Sequence, residues 1–317
     1  LVRVLKDLNL SIELCAPTGK AAKRLGEATG LQKFNPRTIH RYLQNLSGKE
    51  PKQFDVMIID EASMVDISLF HSLLASIPDG SQLILIGDKD QLPPVSPGQP
   101  FRDLIEIKEP KDAKLPAPEK KDSGIIRAAY SVIGGKEPDE TLLLESDNFQ
   151  FIECDQADIK DLVLDYYFEK IPKMLGGSFE KYRDDIQIIC PQNLGEVGIS
   201  EFNLEIQNRL RGRHQPVFTG QKGKVAQQYF PQDKVMQINN DYELGVMNGE
   251  VGTVISGNEE GLLVSMNGGE VVYPEDKVEN LNLAYATTIH KSQGSEYSAV
   301  ILPISKANTR MISKNLI

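Results

Sequence analysis

Short, continuous apolar runs alternate with helical segments along most of the chain, and this alternation constrains the fold more than any other feature. Five runs have strand length and are rich in Ile, Leu or Val: residues 11–17, 56–60, 82–87, 186–191 and 299–304. Uninterrupted apolar strands are typical of sheets that are covered on both faces. The segments 18–30, 68–77 and 158–175 have helical spacing of their apolar residues. This strand–helix alternation predicts parallel sheets of the α/β class.

Residues 225–282 have a different pattern, with short strand candidates separated by Gly- and Asn-containing turns. This pattern predicts an all-β insert of about the size of a small barrel. The stretch 106–124 is rich in Pro and Lys and is interpreted as a linker or exposed loop. A chain of 317 residues favours about two domains.

Composition narrows the class of protein. No apolar run approaches the ~20 residues that span a bilayer, and the N-terminal stretch lacks the pattern of a signal peptide. We therefore predict a soluble, cytoplasmic protein that does not bind a membrane. The net charge of −10 argues against a nucleic-acid partner, although a local groove can still bind a phosphate backbone.

Two of the three cysteines and two of the histidines are interpreted as packing residues. The three cysteines are far apart in sequence, which argues against a disulfide framework or a zinc site. Cys15 and Cys190 each end an apolar run, so we expect both to be buried. His40 and His71 lie at helical spacing among Leu and Ile, so we expect both to pack inward.

Two adjacent carboxylates, Asp60 and Glu61, end the apolar run VMIID. In open α/β sheets, ligands bind beyond the carboxyl ends of the strands. An Asp there can hold Mg²⁺ on a nucleotide, and an adjacent Glu can orient or deprotonate an attacking water. The other interpretation, favoured for an isolated Asp-Glu pair, is that both acids begin the next helix.

A second strand end shifts this balance toward a functional site. The run QLILIG leads into Gly87, Asp88, Lys89, Asp90 and Gln91. A neutral amide such as Gln91 suits the sensing of a phosphate oxygen, because it donates a hydrogen bond without adding charge. Two polar strand ends at one sheet edge are difficult to explain as helix caps alone.

The segments IIDEASMVD and LIGDKDQLPPVSPG resemble the second and third motifs of superfamily 1 helicases, and the RecD-like group is the nearest match. LCAPTGKAAKRL resembles motif Ia of that group, and TIHRYL resembles the helix that follows it. YATTIHKSQGSEYSAVILP resembles motif V. FPQDKVMQINNDYELGVMNGEVGTV is similar to the start of the SH3-like insert that these proteins carry in their second motor domain.

The resemblance implies two incomplete RecA-like motor domains with parallel sheets and a small SH3-like all-β insert in the second. The expected divisions are residues 1–147 for the first motor domain, 148–225 for the first part of the second, 226–282 for the insert, and 283–317 for the remainder.

The resemblance also implies roles for individual residues, with ATP and Mg²⁺ as cofactors. Asp60 would coordinate Mg²⁺, Glu61 would activate water, and Gln91 would sense the γ-phosphate. Gly87 and Asp88 would also contact the nucleotide. Glu296 would contact its ribose. Residues from both motor domains would lie along single-stranded DNA: Pro17, Thr18, Gly19, Lys20, Thr288, His290, Lys291 and Gln293.

The chain departs from the family pattern at three places. The P-loop pattern Gly-x₄-Gly-Lys-Ser/Thr does not occur, since Ala21 follows Gly19-Lys20. No Phe-Arg-Gln motif follows GDKDQLP, and the sequence ends at ISKNLI, where the family pattern continues into an arginine-bearing motif. We therefore expect a fragment of a helicase that by itself binds ATP barely and single-stranded DNA weakly.

The resemblance predicts that the parent protein is an ATP-dependent DNA helicase that moves 5′→3′ on single-stranded DNA in recombination or repair, with other recombination subunits as partners. Two alternatives stay open. The chain could be the helicase portion of a conjugative relaxase. It could also be a degenerate motor that holds DNA or a partner without turnover.

Overall fold

The computed structural model describes residues 1–29, 36–46, 53–108, 123–136, 146, 148–212, 214–222, 225–266 and 269–308. Their contacts divide the chain into two compact units. The N-terminal unit comprises Leu1–Ile152, and the C-terminal unit begins at Glu153.

A parallel sheet forms the centre of the N-terminal unit. Its strands are β1 (Ile12–Ala16), β2 (Arg37–Thr38), β3 (Val56–Ile59) and β4 (Gln82–Leu85). Its helices are α1 (Val2–Asp7), α2 (Gly19–Thr29), α3 (Ile39–Asn45), α4 (Ile67–Leu74), α5 (Pro100–Lys108) and α6 (Gly124–Ile133). The strand order is β2-β1-β3-β4, and all neighbouring pairs are parallel. Strand β3 is buried along its whole length, as a continuous apolar run predicts for an inner strand.

Packing in this unit confirms one set of predicted core residues and corrects another. Cys15 is fully buried, as is Cys190 in the other unit, and burial raises the pKa of each thiol to about 12. The inward packing expected of His40 and His71 is wrong, because both residues are exposed. The buried sides of their helices are formed by Ile39 and Leu73, so the histidines fall on the outer sides.

The predicted linker at 106–124 is only partly described. Helix α5 continues to Lys108, so its first residues are helical rather than extended. Residues 109–122 lie outside the described residues. No helix in the described part of the chain is both long enough and apolar enough to cross a membrane.

The C-terminal unit has a second parallel sheet, formed by β5 (Ile186–Cys190), β13 (Ala286–Thr288) and β14 (Ala299–Ile301) in the order β13-β5-β14. Its helices are α7 (Ile159–Asp165), α8 (Ile171–Met174), α9 (Phe179–Tyr182), α10 (Ile199–Arg211) and α11 (Ile289–Ser292). A π-helical turn, Tyr166–Lys170, joins α7 to α8. The buried side chains Tyr167, Phe202 and Tyr285 form part of the core.

Antiparallel strands occupy the middle of this unit. A hairpin of β6 (Phe218–Lys222) and β7 (Val225–Tyr229) precedes a five-stranded sheet. The sheet consists of β8 (Lys234–Gln237), β9 (Val251–Asn258), β10 (Gly261–Met266), β11 (Gly269–Tyr273) and β12 (Leu281–Leu283), in the order β11-β10-β9-β8-β12. The predicted α/β class, with parallel sheets and an all-β segment, is confirmed.

Buried polar side chains hold the chain where it passes from β12 into β13. The side-chain amide of Asn203 donates to the carbonyls of Leu283 at 2.9 Å and Ala286 at 3.1 Å, and its oxygen accepts from the Ala286 amide at 2.8 Å. The Gln187 amide donates to the carbonyl of Tyr285 at 3.0 Å. Because buried backbone groups need partners, these contacts fix the start of β13.

Lysine 234 is a buried cation in the same region, with only 1% of its surface exposed. Its Nζ donates to the carbonyls of Asp184 at 3.0 Å and Ile186 at 3.3 Å. Burial lowers the pKa of Lys234 from 10.5 to about 8. Strand β8 of the antiparallel sheet is thereby tied to the start of β5 in the parallel sheet.

Candidate functional site

The carboxyl ends of β3 and β4 carry the first candidate site. The amide of Asp60 donates to the Cys15 carbonyl at 3.0 Å, and the amide of Glu61 donates to Asp60 Oδ1 at 3.0 Å. Gly87 and Asp88 follow β4 at the same edge, because β3 and β4 are parallel neighbours. The structure therefore brings these four predicted residues together.

Glu61 has a backbone conformation that few residues of its type adopt. Its φ of 53° and ψ of 39° lie in the left-handed region, which costs a non-glycine residue roughly 1–3 kcal/mol and is concentrated at functional sites. Its side chain makes no cap hydrogen bond to the 3₁₀ turn Ala62–Met64. Helix α4 is capped by Asp66, which accepts from the Leu69 amide at 2.9 Å. The helix-start interpretation of Asp60 and Glu61 therefore fails.

The environment of Glu61 makes it a stronger base. Burial raises the pKa of this half-buried carboxyl, and the neighbouring Asp60 carboxylate raises it further. Arg24 on α2 lowers the pKa in part, and Asp88 raises it. A carboxylate whose pKa is moved toward neutrality accepts a proton more readily in a transition state.

Close backbone contact joins the segment after β4 to the turn after Glu61. The Ala62 amide donates to the Ile86 carbonyl at 2.8 Å. A Cβ on Gly87 would lie 3.0 Å from the Ser63 nitrogen and 3.2 Å from the Ala62 nitrogen. Glycine permits this close approach, because a side chain would crowd the backbone of the facing turn.

Gln91 lies four positions beyond Gly87, in a loop that begins with a turn in which Asp88 Oδ1 accepts from the Asp90 amide at 2.9 Å. Its side chain is exposed. It also lines a small pocket, about 10 Å³ in volume, together with residues of the adjoining loop and helix. The predicted sensor is thus near the Asp60–Glu61 turn and accessible from solvent.

The donors at this edge suit magnesium only in a limited way. Among the described residues, no group of three or more His, Cys, Asp or Glu side chains could hold a metal ion. Mg²⁺ keeps several waters and is usually bound through one or two carboxylates together with substrate phosphates. Asp60 therefore fits as a ligand of a nucleotide-bound ion, whose charge would neutralise the phosphates.

The predicted DNA-contacting residues of the N-terminal unit stand at the start of α2. Thr18 Oγ1 accepts from the Ala21 amide at 3.2 Å, so this side chain caps the helix. Gly19 is buried, while Pro17 and Lys20 are half-buried. Free amides at a helix N-terminus attract a phosphate.

The C-terminal unit repeats this arrangement at the start of α11. Thr288 Oγ1 accepts from the Lys291 amide at 3.2 Å. Burial lowers the pKa of the half-buried Lys291, whereas His290 is exposed. Gln293 is half-buried and Glu296 is exposed, both just beyond the helix. These residues form a second local cluster of predicted contacts.

Sequence reasoning overlooked several residues that shape these sites. Ser63, Asn203 and Gln187 are buried polar residues. Gln187 interrupts an apolar strand, which was a detectable signal in the sequence. Asn203 lies in a polar helix and Ser63 between two motif residues, so neither was distinguished by its neighbours.

Two family profiles match the chain. The profile described as AAA domain matches residues 1–153, and the profile described as UvrD-like helicase C-terminal domain matches residues 283–317. The first match includes the Asp60–Glu61 edge and the start of α2, and the second includes the start of α11.

Curated relatives share similarity over nearly the whole chain. The ATP-dependent RecD2 DNA helicase of Deinococcus radiodurans is 32% identical over 98% of this chain and 41% of its own length. The RecBCD enzyme subunit RecD of Mycobacterium tuberculosis is 28% identical over 96% of this chain and 58% of its own length. The chain thus spans about half the length of these relatives, and its resemblance to RecD-like helicases of superfamily 1 is confirmed.

Solved structures of Pif1 helicases share the fold. The Bacteroides enzyme in complex with ADP-AlF3 and ssDNA matches with a TM-score of 0.53 and 18% identity, over 97% of this chain and 84% of that one. The Candida albicans enzyme matches with a TM-score of 0.50 and 18% identity, over 99% of this chain and 84% of that one. At these identities the likeness establishes the fold.

Proposed function

We propose that this chain carries motor elements of an ATP-dependent DNA helicase that moves along single-stranded DNA. The observation that carries the proposal is Glu61, a half-buried carboxylate with a raised pKa in a left-handed conformation beside Asp60. Its side chain makes no cap hydrogen bond to the 3₁₀ turn that follows. The named activity of the RecD2 relative, ATP-dependent DNA unwinding, supports the same function.

The residues divide the chemistry of ATP hydrolysis among them. Glu61 accepts a proton from the water that attacks the γ-phosphorus as the bond to the bridging oxygen breaks. Asp60 would hold a nucleotide-bound Mg²⁺, which would neutralise phosphate charge. Gln91 donates from its amide to a γ-phosphate oxygen, and Gly87 lets its loop approach the Asp60–Glu61 turn. Glu296 would contact the nucleotide at its ribose, as the family resemblance implies.

The two capped helix starts provide the DNA contacts in this proposal. Thr18 and Thr288 each cap a helix directly after a parallel strand, which leaves backbone amides to meet phosphates. Lys20 and Lys291 add positive charge, and Pro17, Gly19, His290 and Gln293 complete the two surfaces. Such contacts are sensitive to salt, because counterions are released from the DNA backbone.

The direction and pathway are proposed from the family resemblance. We propose 5′→3′ movement and a role in recombination or repair, with other recombination subunits as partners. One relative is named as a subunit of the RecBCD enzyme. The direction is tested by the rate at which the protein arrives at a fluorophore on the 5′ or the 3′ end of single-stranded DNA. Faster arrival at the 5′ label would contradict 5′→3′ movement.

The decisive experiment is the Glu61→Gln substitution in the complete gene product. Removing the base while keeping the shape should lower DNA-stimulated ATP turnover ~10²–10⁴-fold, with nucleotide still bound. Asp66→Asn is the matched control, since it also neutralises an acid near this turn but Asn still caps a helix. Its turnover should stay near that of the wild type.

Turnover of Glu61→Gln close to that of the wild type would reject the catalytic role. A wild-type protein that binds single-stranded DNA but hydrolyses no ATP would instead favour the degenerate binding module.

A further inference from the structure

The hydroxyl of Ser63 is buried without a protein partner. Ser63 follows Glu61 by two positions, within the 3₁₀ turn Ala62–Met64, and is 9% exposed. No protein atom in the described part of the chain makes a hydrogen bond with its Oγ. Unpaired buried hydroxyls cost free energy, so their presence in a folded protein needs an explanation.

Ser63 lines the pocket that Gln91 also lines. The other polar side chains around this pocket are those of Lys89, Gln99 and Arg102. A volume of about 10 Å³ is close to the space that a single water needs, and several polar neighbours are what such a water requires. The pocket is thus suited to one small ligand that bonds to both Ser63 and Gln91.

The size of the pocket favours water over a larger anion. A volume of about 10 Å³ admits one water but not a phosphate. Lys89 and Arg102 both line the pocket, and Arg102 Nε donates to Glu106 Oε1 at 2.7 Å. Size, rather than charge, therefore selects a single water.

The backbone fixes the geometry between Ser63 and the Gln91 loop. The hydrogen bond from the Ala62 amide to the Ile86 carbonyl and the close approach at Gly87 hold the two segments together. Ser63 therefore has a fixed position relative to the start of the Gln91 loop. It lies two positions after Glu61, the proposed base.

We infer that Ser63 is a positioning residue, which holds one water in this pocket and through it orients the Gln91 carboxamide. The inference rests on the proposed function, since Gln91 acts there on the γ-phosphate. Ser63 itself touches neither nucleotide nor DNA. Its hydroxyl links the turn that carries Glu61 to the loop that carries Gln91.

A double-mutant cycle with Ser63→Ala and Gln91→Ala in the complete gene product tests this role. Ser63→Ala should lower the kcat of DNA-stimulated ATP hydrolysis roughly three- to tenfold, the value of one hydrogen bond, with KM unchanged. Adding Ser63→Ala to Gln91→Ala should then change nothing more, because the residue that it orients is already gone. Ser63→Thr keeps the hydroxyl and should restore kcat wherever its methyl group is accommodated.

Ser81→Ala is the matched control, because Ser81 Oγ donates to the Phe54 carbonyl at 2.6 Å within the same unit. It should lower the melting temperature and leave kcat unchanged, the reverse of the pattern for Ser63→Ala. Unchanged kcat in Ser63→Ala, or effects that multiply in the double variant, would overturn the inference. Glu61→Gln is measured in parallel: if it retains turnover the proposed function fails, and if it is inactive only the positioning role of Ser63 is at stake.

Discussion

The two parallel sheets of this chain use polar residues for opposite purposes. At the edge of the N-terminal sheet, the Glu61 side chain makes no cap hydrogen bond to the turn that follows it, and Gln91 is exposed. Around the C-terminal sheet, Asn203 and Gln187 are buried, and their side chains form hydrogen bonds with the backbone near the start of β13. Polar groups left accessible can act on a ligand, whereas those enclosed by the fold hold strands in place.

The capping threonines show what the two sheets have in common. Thr18 after β1 and Thr288 after β13 accept from a helix amide at the same distance of 3.2 Å. Thr38 after β2 makes a third such cap, at 3.1 Å to the Arg41 amide. The strand–threonine–helix arrangement therefore recurs at three places among the described residues, and only its surroundings separate a proposed binding surface from a structural cap.

Removing the buried charge of the C-terminal unit gives the largest expected effect on stability. The pKa of Lys234 is about 8 when folded and 10.5 when unfolded, so between these pH values the unfolded chain holds a proton that the folded chain has lost. Raising the pH through this window therefore stabilises the fold, by at most about 1.4 kcal/mol per pH unit. Urea unfolding of the wild type and of Lys234→Met, monitored through hydrogen exchange of the β5 amides, measures the difference in their free energies of unfolding.

The advantage of the wild type over Lys234→Met should grow from pH 8 to pH 10. Lys173→Met is the control, because Lys173 is an exposed partner of Glu169 and should show little change over this range. A constant difference between the wild type and Lys234→Met would show that Lys234 is charged in both states.

Gly87→Ala should be the next largest effect and should be confined to the N-terminal unit. Its Cβ would meet the Ser63 and Ala62 nitrogens at 3.0 and 3.2 Å, and overpacking of this kind costs ~1–3 kcal/mol. Gly26→Ala makes the same change where the nearest atom is 3.4 Å away, at Pro36, and should stabilise α2 by about 1 kcal/mol. Hydrogen exchange of peptides from each unit measures both, and a neutral Gly87→Ala would contradict the close approach.

Threonine-to-alanine changes at the three caps should give the smallest effects on stability. They are also the most direct test of whether two of these caps bind DNA while the third is structural. Each should cost ~1 kcal/mol, because each removes one cap hydrogen bond. Thr18→Ala and Thr288→Ala should also weaken binding of a fluorescent single-stranded oligonucleotide, measured by anisotropy at low salt. Thr38→Ala is the matched control, and weaker DNA binding in all three variants would remove the distinction between binding and structural caps.

Much of the fold followed from local patterns. The five apolar runs became strands of the two parallel sheets, and the turn-rich stretch became antiparallel strands. These features depend on residues close together in sequence, whose periodicity and turn chemistry can be recognised directly. The position of Asp60, Glu61 and Gly87 at one edge followed as well, because parallel strands end on the same side.

The sequence alone determined which residues could carry chemistry and on which strand ends they stand. Only the tertiary structure decided that Glu61 is left-handed rather than a helix cap, that Gly87 lies against Ser63, and that Asn203 holds β13. These features depend on contacts between residues far apart in sequence and on backbone angles set by the surrounding packing. A local pattern carries no record of such contacts, and for this reason the outward-facing His40 and the buried hydroxyl of Ser63 were not predicted.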